Sequence, residues 1–137
     1  MKKILLSLFV GSLFLFNSCT KEYNDYYDLV PTITMVYERF DSDWLGTDHN
    51  AFVKLDVPEL DQYYMDQGIV MVAMSDDNEQ SFHAIPGTIN GVSYWFKYKK
   101  GEITIFAQDP ILDDEIYVEV PQKAIFKVSL TESDWVE

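Results

Sequence analysis

Two histidines, one cysteine and three tryptophans are among the rarest chemistry-bearing side chains of this 137-residue chain. A Ser-His-Asp hydrolase needs a histidine base hydrogen-bonded to its nucleophile and steadied by a carboxylate. Ser81 lies two residues before His83, but i,i+2 neighbours on a strand share a face without standing as nucleophile and base. His49 sits in an Asp/Gly/Asn loop, and no Gly-x-Ser-x-Gly elbow is present. Both histidines read as ordinary surface or hydrogen-bonded residues. With 23 acidic residues, some pair will match the spacing of a glycosidase dyad by chance, so that spacing carries no information. No catalytic residue is assigned, and the chain reads as a non-enzyme without a cofactor.

Metal chemistry fares no better. Zinc and its neighbours want several His or Cys ligands, which the chain lacks. Calcium wants carboxylate and carbonyl oxygens. The stretch "DSDWLGTD" places Asp41, Asp43 and Gly46 like the opening of an EF-hand loop. Leu45 then stands at the third ligand position, and Phe52 at the closing glutamate, so the loop fails. "SDDNE" (Asp76, Asp77, Asn78, Glu79) and "DPILDDE" (Asp109, Asp113, Asp114, Glu115) could meet as an irregular calcium site between loops. Solvated turn residues are the commoner fate of such stretches, and no metal ligand is assigned.

Aromatic residues make up 15% of the chain. Trp44, Trp95 and Trp135 are candidate binding residues, able with Tyr94 and Tyr98 to build a stacking platform for sugar rings. Trp95 alternates with the expected core positions of its strand and so points outward. The competing expectation is a second layer packed over it.

Cys19 raises a different question, because no second cysteine exists to pair with it. It follows Met1-Lys2-Lys3 and an apolar run from Ile4 to Phe16, too short for the ~20 residues of a spanning helix. A basic start, a short apolar core and a small residue before the cut make a secretory signal. Phe16-Asn17-Ser18-Cys19 resembles the lipobox of bacterial lipoproteins. That resemblance implies diacylglycerol on the Cys19 thiol and cleavage just before it. Two or three acyl chains at ~0.8 kcal/mol per buried CH2 suffice for a stable anchor. Residues 1–18 are therefore set aside as signal, and 137 less 18 leaves 119 residues. Losing Lys2 and Lys3 moves the net charge from −13 to about −15, a surface that excludes nucleic acid as a partner.

Positioning these residues falls to a single domain. Residues 19–29, with "TKEYNDYYDL", form a polar tether, and Lys21-Glu22 partly resembles the short signal that sends some Bacteroidota lipoproteins to the cell exterior. Residues 30–137 form the domain, where the hydrophobic period is mostly two. Strands are expected at 32–40, 51–57, 69–75, 80–85, 92–99, 102–108, 116–120 and 124–130. Ala51, Val53, Leu55 and Val57 alternate with Phe52, Lys54 and Asp56, marking one buried face. The 69–75 run, "IVMVAMS", is apolar on both faces, which predicts a central strand. Asn90-Gly91 and Lys100-Gly101 predict turns. In the second hairpin Tyr94, Phe96 and Tyr98 should face Ile103, Ile105 and Ala107. Pro58 to Gln67 predicts one short helix, opened by Pro58 and ended by Gly68. Seven or eight short strands with one helix predict an all-β fold, an antiparallel β-sandwich that is Ig-like in general architecture.

The order of "DWLGTDHNAFVKLDVPEL", "DQGIVMVAM", "AIPGT", "YWFKYKKGEITIFA" and "AIFKVSL" resembles a group of small Bacteroidota lipoproteins without assigned activity. Their collagen-like segment after the lipobox is replaced here by the tyrosine-rich tether. The resemblance implies a β-rich domain on an envelope tether and no catalytic residues. The expected function is thus a lipid-anchored, outer-membrane protein of the cell envelope. Its role would be non-enzymatic binding or structure, with an envelope or extracellular partner. A carbohydrate-binding accessory lipoprotein using exposed aromatics is the alternative.

Overall fold

A computed structural model describes residues 32–113 and 115–132. The signal segment, Cys19, the whole tether and every other residue up to position 31, together with Trp135, lie outside the described residues. The fold is all-β: two antiparallel sheets packed face to face, with one short α-helix and one 3-10 turn (Asp41–Asp43) among the described residues.

The strands are β1 (Ile33–Phe40), β2 (Leu45–Thr47), β3 (Asn50–Asp56), β4 (Gly68–Ser75), β5 (His83–Ile85), β6 (Gly87–Ile89), β7 (Val92–Lys99), β8 (Glu102–Gln108) and β9 (Lys123–Glu132). The four-stranded sheet runs β1-β9-β4-β5 and the five-stranded sheet β2-β3-β8-β7-β6. In an immunoglobulin domain the first two strands are neighbours in one sheet. Here β1 pairs with the last strand and β2 belongs to the opposite sheet, so the likeness is one of layers and not of strand order.

Alternation fixes which residues reach the core. Val53, Leu55 and Val57 on and after β3 are buried, as are Ile103, Ile105 and Ala107 on β8 and Ala124, Phe126, Val128 and Leu130 on β9. The β7–β8 register sets Tyr94 against Ala107, Phe96 against Ile105 and Tyr98 against Ile103, as expected. Burial pushes the Tyr94 hydroxyl up to about 12, with the charge of Asp76 adding to the effect. The Asn90-Gly91 turn closes β6 onto β7 with φ of 50° and 82°, the left-handed pair that a two-residue hairpin loop requires.

Several boundaries differ from expectation, each for a physical reason. The helix, α1 (Gln62–Gln67), starts four residues later than Pro58 suggests. Leu60 N–H bonds to Val57 O in a turn that buries both side chains, and Asp61 becomes the N-cap by accepting from the Tyr63 and Tyr64 amides. Residues 116–120 form no strand. They lie against the 48–49 loop through Val118 N–H to Asp48 O at 2.7 Å. β2 and β6 are three-residue strands inside stretches that read as turn and linker. Finally, β4 is central within its sheet but covered on one face only. Val70, Val72 and Met74 are buried, whereas Ile69 and Met71 are 53% and 54% exposed. Among the described residues, no helix is long and apolar enough to cross a membrane.

Candidate functional site

The five-stranded sheet turns its outer face to solvent, and there the side chains excluded from the core line up across strands. Leu45 on β2 pairs with Phe52 on β3, Phe52 with Phe106 on β8, and Phe106 with Trp95 on β7. Phe52, Phe106 and Trp95 each alternate with a buried neighbour, and Leu45 is registered opposite Phe52, so all four project from the same face. Trp95 lies flat on Phe106, with ring centroids 4.1 Å apart and planes 10° from parallel. Phe52 meets Phe106 at 6.1 Å with a 40° tilt, which leaves a shallow V between them.

One residue pair further along the strands, the row becomes basic: Lys54, Thr104 and Lys97 lie side by side. The next row is Asp56, Glu102 and Lys99. Glu102 accepts from Lys54 Nζ at 3.3 Å and approaches Lys99 Nζ at 3.4 Å. Desolvation pushes the Glu102 carboxyl upward, but the hydrogen bonds and charges of the two lysines outweigh it and hold it below its ordinary range. Lys97 Nζ lies 5.0 Å from the Phe106 ring centroid, a cation–π contact. Together these rows enclose an open groove of about 440 Å³. Phe106 and the buried Thr104 line it, Phe52 and Lys54 stand on one flank, and Lys97 and Lys99 on the other.

Backbone bonds hold the basic end in place. The turn between β7 and β8 is tied to the segment leading into α1, with Val57 N–H donating to Gly101 O and Gly101 N–H to Leu60 O, both at 2.9 Å. Gly101 takes a φ of 78°, which tightens that turn. On the far flank, Arg39 donates from Nε and one terminal nitrogen to Lys54 O, at 3.2 and 3.1 Å. That contact caps β3 where the short β2 no longer covers its edge.

The three tryptophans picked from sequence part company. Trp95 belongs to the outer row beside the groove. Trp44 is half-buried against the core, edge-on to Tyr94 at 6.2 Å and tilted against Phe126 at 6.4 Å. Trp135 and Cys19 fall outside the described residues. Phe52, Phe106, Lys54 and Lys97 were not singled out by sequence reasoning, although the parity of their strands assigns each to the outer face.

The remaining polar candidates are engaged elsewhere. His49 Nδ1 lies 2.9 Å from Ile116 O and its ring packs on Tyr117. Ser81 Oγ donates to Asp77 Oδ2 at 2.6 Å, and its amide, with Ser75 Oγ, donates to Oδ1. These bonds lower the Asp77 carboxyl to about 2, the Ser81 hydroxyl contributing most. Asp109 is buried and accepts from the Ile111 and Asp113 amides. Both carboxylates thus shape their own loops, and among the described residues no three His, Cys, Asp or Glu side chains gather to hold a metal. A second cavity of about 160 Å³ is lined by Asp76, Asn90, Tyr94 and Glu119, with Asn90 Nδ2 donating to Asp76 Oδ2 at 2.7 Å.

No protein-family model, curated protein or solved structure matches this chain.

Proposed function

We propose that the chain is a lipid-anchored envelope protein, of the kind the small Bacteroidota lipoproteins represent, whose domain binds a ligand on the outer face of its five-stranded sheet and catalyses nothing. One observation carries the binding role: a row of partly exposed aromatic side chains beside an open groove, on the sheet face turned away from the core, over which no further sheet lies among the described residues. Large apolar side chains left at a surface, rimmed by charge, mark interaction sites. Carbohydrate is the ligand class this row favours. A pyranose ring offers one C–H face for an aromatic surface and hydroxyls for flanking polar groups.

The anchor rests on Cys19 and the signal before it, and the resemblance to Bacteroidota lipoproteins supports the outer membrane as its place. Expression of the full chain with labelled fatty acid tests it. Wild type should carry label and sediment with the outer membrane, and Cys19→Ala should do neither. A Cys19→Ala protein that still takes up label and stays with membranes would sink the anchor.

A further inference from the structure

The groove inverts the charge of the molecule around it. The chain carries 23 acidic and 10 basic residues. Yet Lys54, Lys97 and Lys99 share this one face, with Lys100 in the adjoining turn, against Glu102 and Asp56. Glu102 is spent on Lys54 and Lys99. Lys97 has no carboxylate within ion-pair distance among the described residues; its ammonium leans on the Phe106 ring. A cation on an aromatic face, with a second cation across a groove, is a site short of one anion.

We infer that the ligand of this groove is an anionic sugar, a pyranose bearing a carboxylate or sulfate, with its ring on the Phe52–Phe106 pair and its charge on Lys97. This rests on the carbohydrate reading above and narrows it. Charge complementarity selects the class: a neutral glycan gains the stacking but leaves Lys97 unmatched, whereas a uronate gains a charge-assisted hydrogen bond as well. Glu102 has a positioning role. It draws Lys54 and Lys99 to one carboxylate on the central strand, which leaves Lys97 as the cation of the groove without an ion pair among the described residues.

The test sets matched oligosaccharides against the full chain in detergent: uronate tetramers, sulfated galactose tetramers, and the carboxyl-reduced and desulfated forms of each. Isothermal titration calorimetry gives the affinities. One or both anionic series should bind at least about tenfold tighter than the neutral counterpart, the ratio for one charge-assisted contact. Lys97→Met should erase that ratio while leaving weak neutral binding and the melting temperature in place. Whichever anionic series wins identifies carboxylate or sulfate as the group read. Equal affinity for charged and neutral forms overturns the anionic inference and leaves the carbohydrate reading standing. Binding of anionic forms that survives Phe52→Ala and Phe106→Leu marks a bare charge contact and also overturns it. No binding of any of the four overturns both.

Discussion

Trp44 and Trp95 look alike in sequence, and the fold gives them opposite work, so truncating each separates interior from surface. Trp44 packs on the core and touches Tyr94 and Phe126, the latter fully buried. Full burial of a tryptophan makes truncation to alanine cost about 3–5 kcal/mol. Half-burial reduces the transfer part, and each aromatic contact returns ~0.5–1.5 kcal/mol. Trp44→Ala should therefore destabilise by about 2–4 kcal/mol. For a domain of this size each kcal/mol moves the midpoint by about 4–8 °C, so melting should fall by roughly 8–32 °C. Trp95 lies on the outer face of its sheet, partly buried with its Nε1 covered, and stacks on Phe106. Trp95→Ala should cost about 1 kcal/mol, near a lone aromatic pair. Thermal and urea unfolding followed by circular dichroism measures both, with an unchanged urea m-value confirming that the native state alone is affected. Trp44→Phe, which keeps a ring against Tyr94 and Phe126, should recover most of the loss. If Trp44→Ala melts with wild type while Trp95→Ala does not, the inside–outside assignment of these two residues is wrong.

Two further outcomes follow from local geometry. Asp77 is held near 2 against an ordinary value near 4, so its contribution to stability is complete above pH ~4 and is lost as the pH falls through 2; the stability gap between wild type and Asp77→Ala in acid titrations should narrow over that window and close below it. Gly46 has a φ of 107°, and a Cβ there would lie 2.3 Å from Asn50 O. Gly46→Ala should cost more than about 1 kcal/mol by urea denaturation, and a neutral result would mean that the β2–β3 turn is not built as described.

Most of the sheet architecture was legible because burial on one face writes a period of two into the chain. The strand at 51–57 and the hairpin with Tyr94 facing Ala107 follow from that pattern. The short strands did not announce themselves: Leu45–Thr47 contains a glycine and lies among Asp and Asn, and only pairing with β3 makes it a strand. Residues 116–120 misled in the opposite way. Their alternation is genuine, but Val118 and Val120 pack on the core from a segment that pairs with no strand. On β4, a run apolar on both faces suggested two-sided burial. Central position in a ladder and coverage by a second layer are separate facts, and only the first holds there.

The site was less legible than the fold, and the reason is register. Parity alone sends Phe52, Phe106 and Trp95 outward from three strands. It does not say that residues 52 and 106 are neighbours, because that pairing spans the helix and four other strands. Once the register is known, the lysines follow, since Lys54 and Lys97 lie two residues from Phe52 and Trp95 on the same face.

The same register explains why a sheet face, and not a loop cluster, suits a binding role here. The groove's side chains stand on three adjacent strands, of which the central β8 is paired on both sides along its length, and the turn nearest the lysines is bonded on both sides of Gly101 to the segment before α1. A ligand meeting this face orders little backbone, so less of the contact energy is lost to entropy. Stacked Trp95 and Phe106 likewise hold each other's rotamers. What remains mobile is the lysine stems, and two of the three are already steered by Glu102. Replacing Glu102 with glutamine would release them. On the proposed function, a rigid aromatic row with one ammonium at its edge unpaired among the described residues would discriminate by charge, on a domain whose acidic composition would repel the same ligand elsewhere.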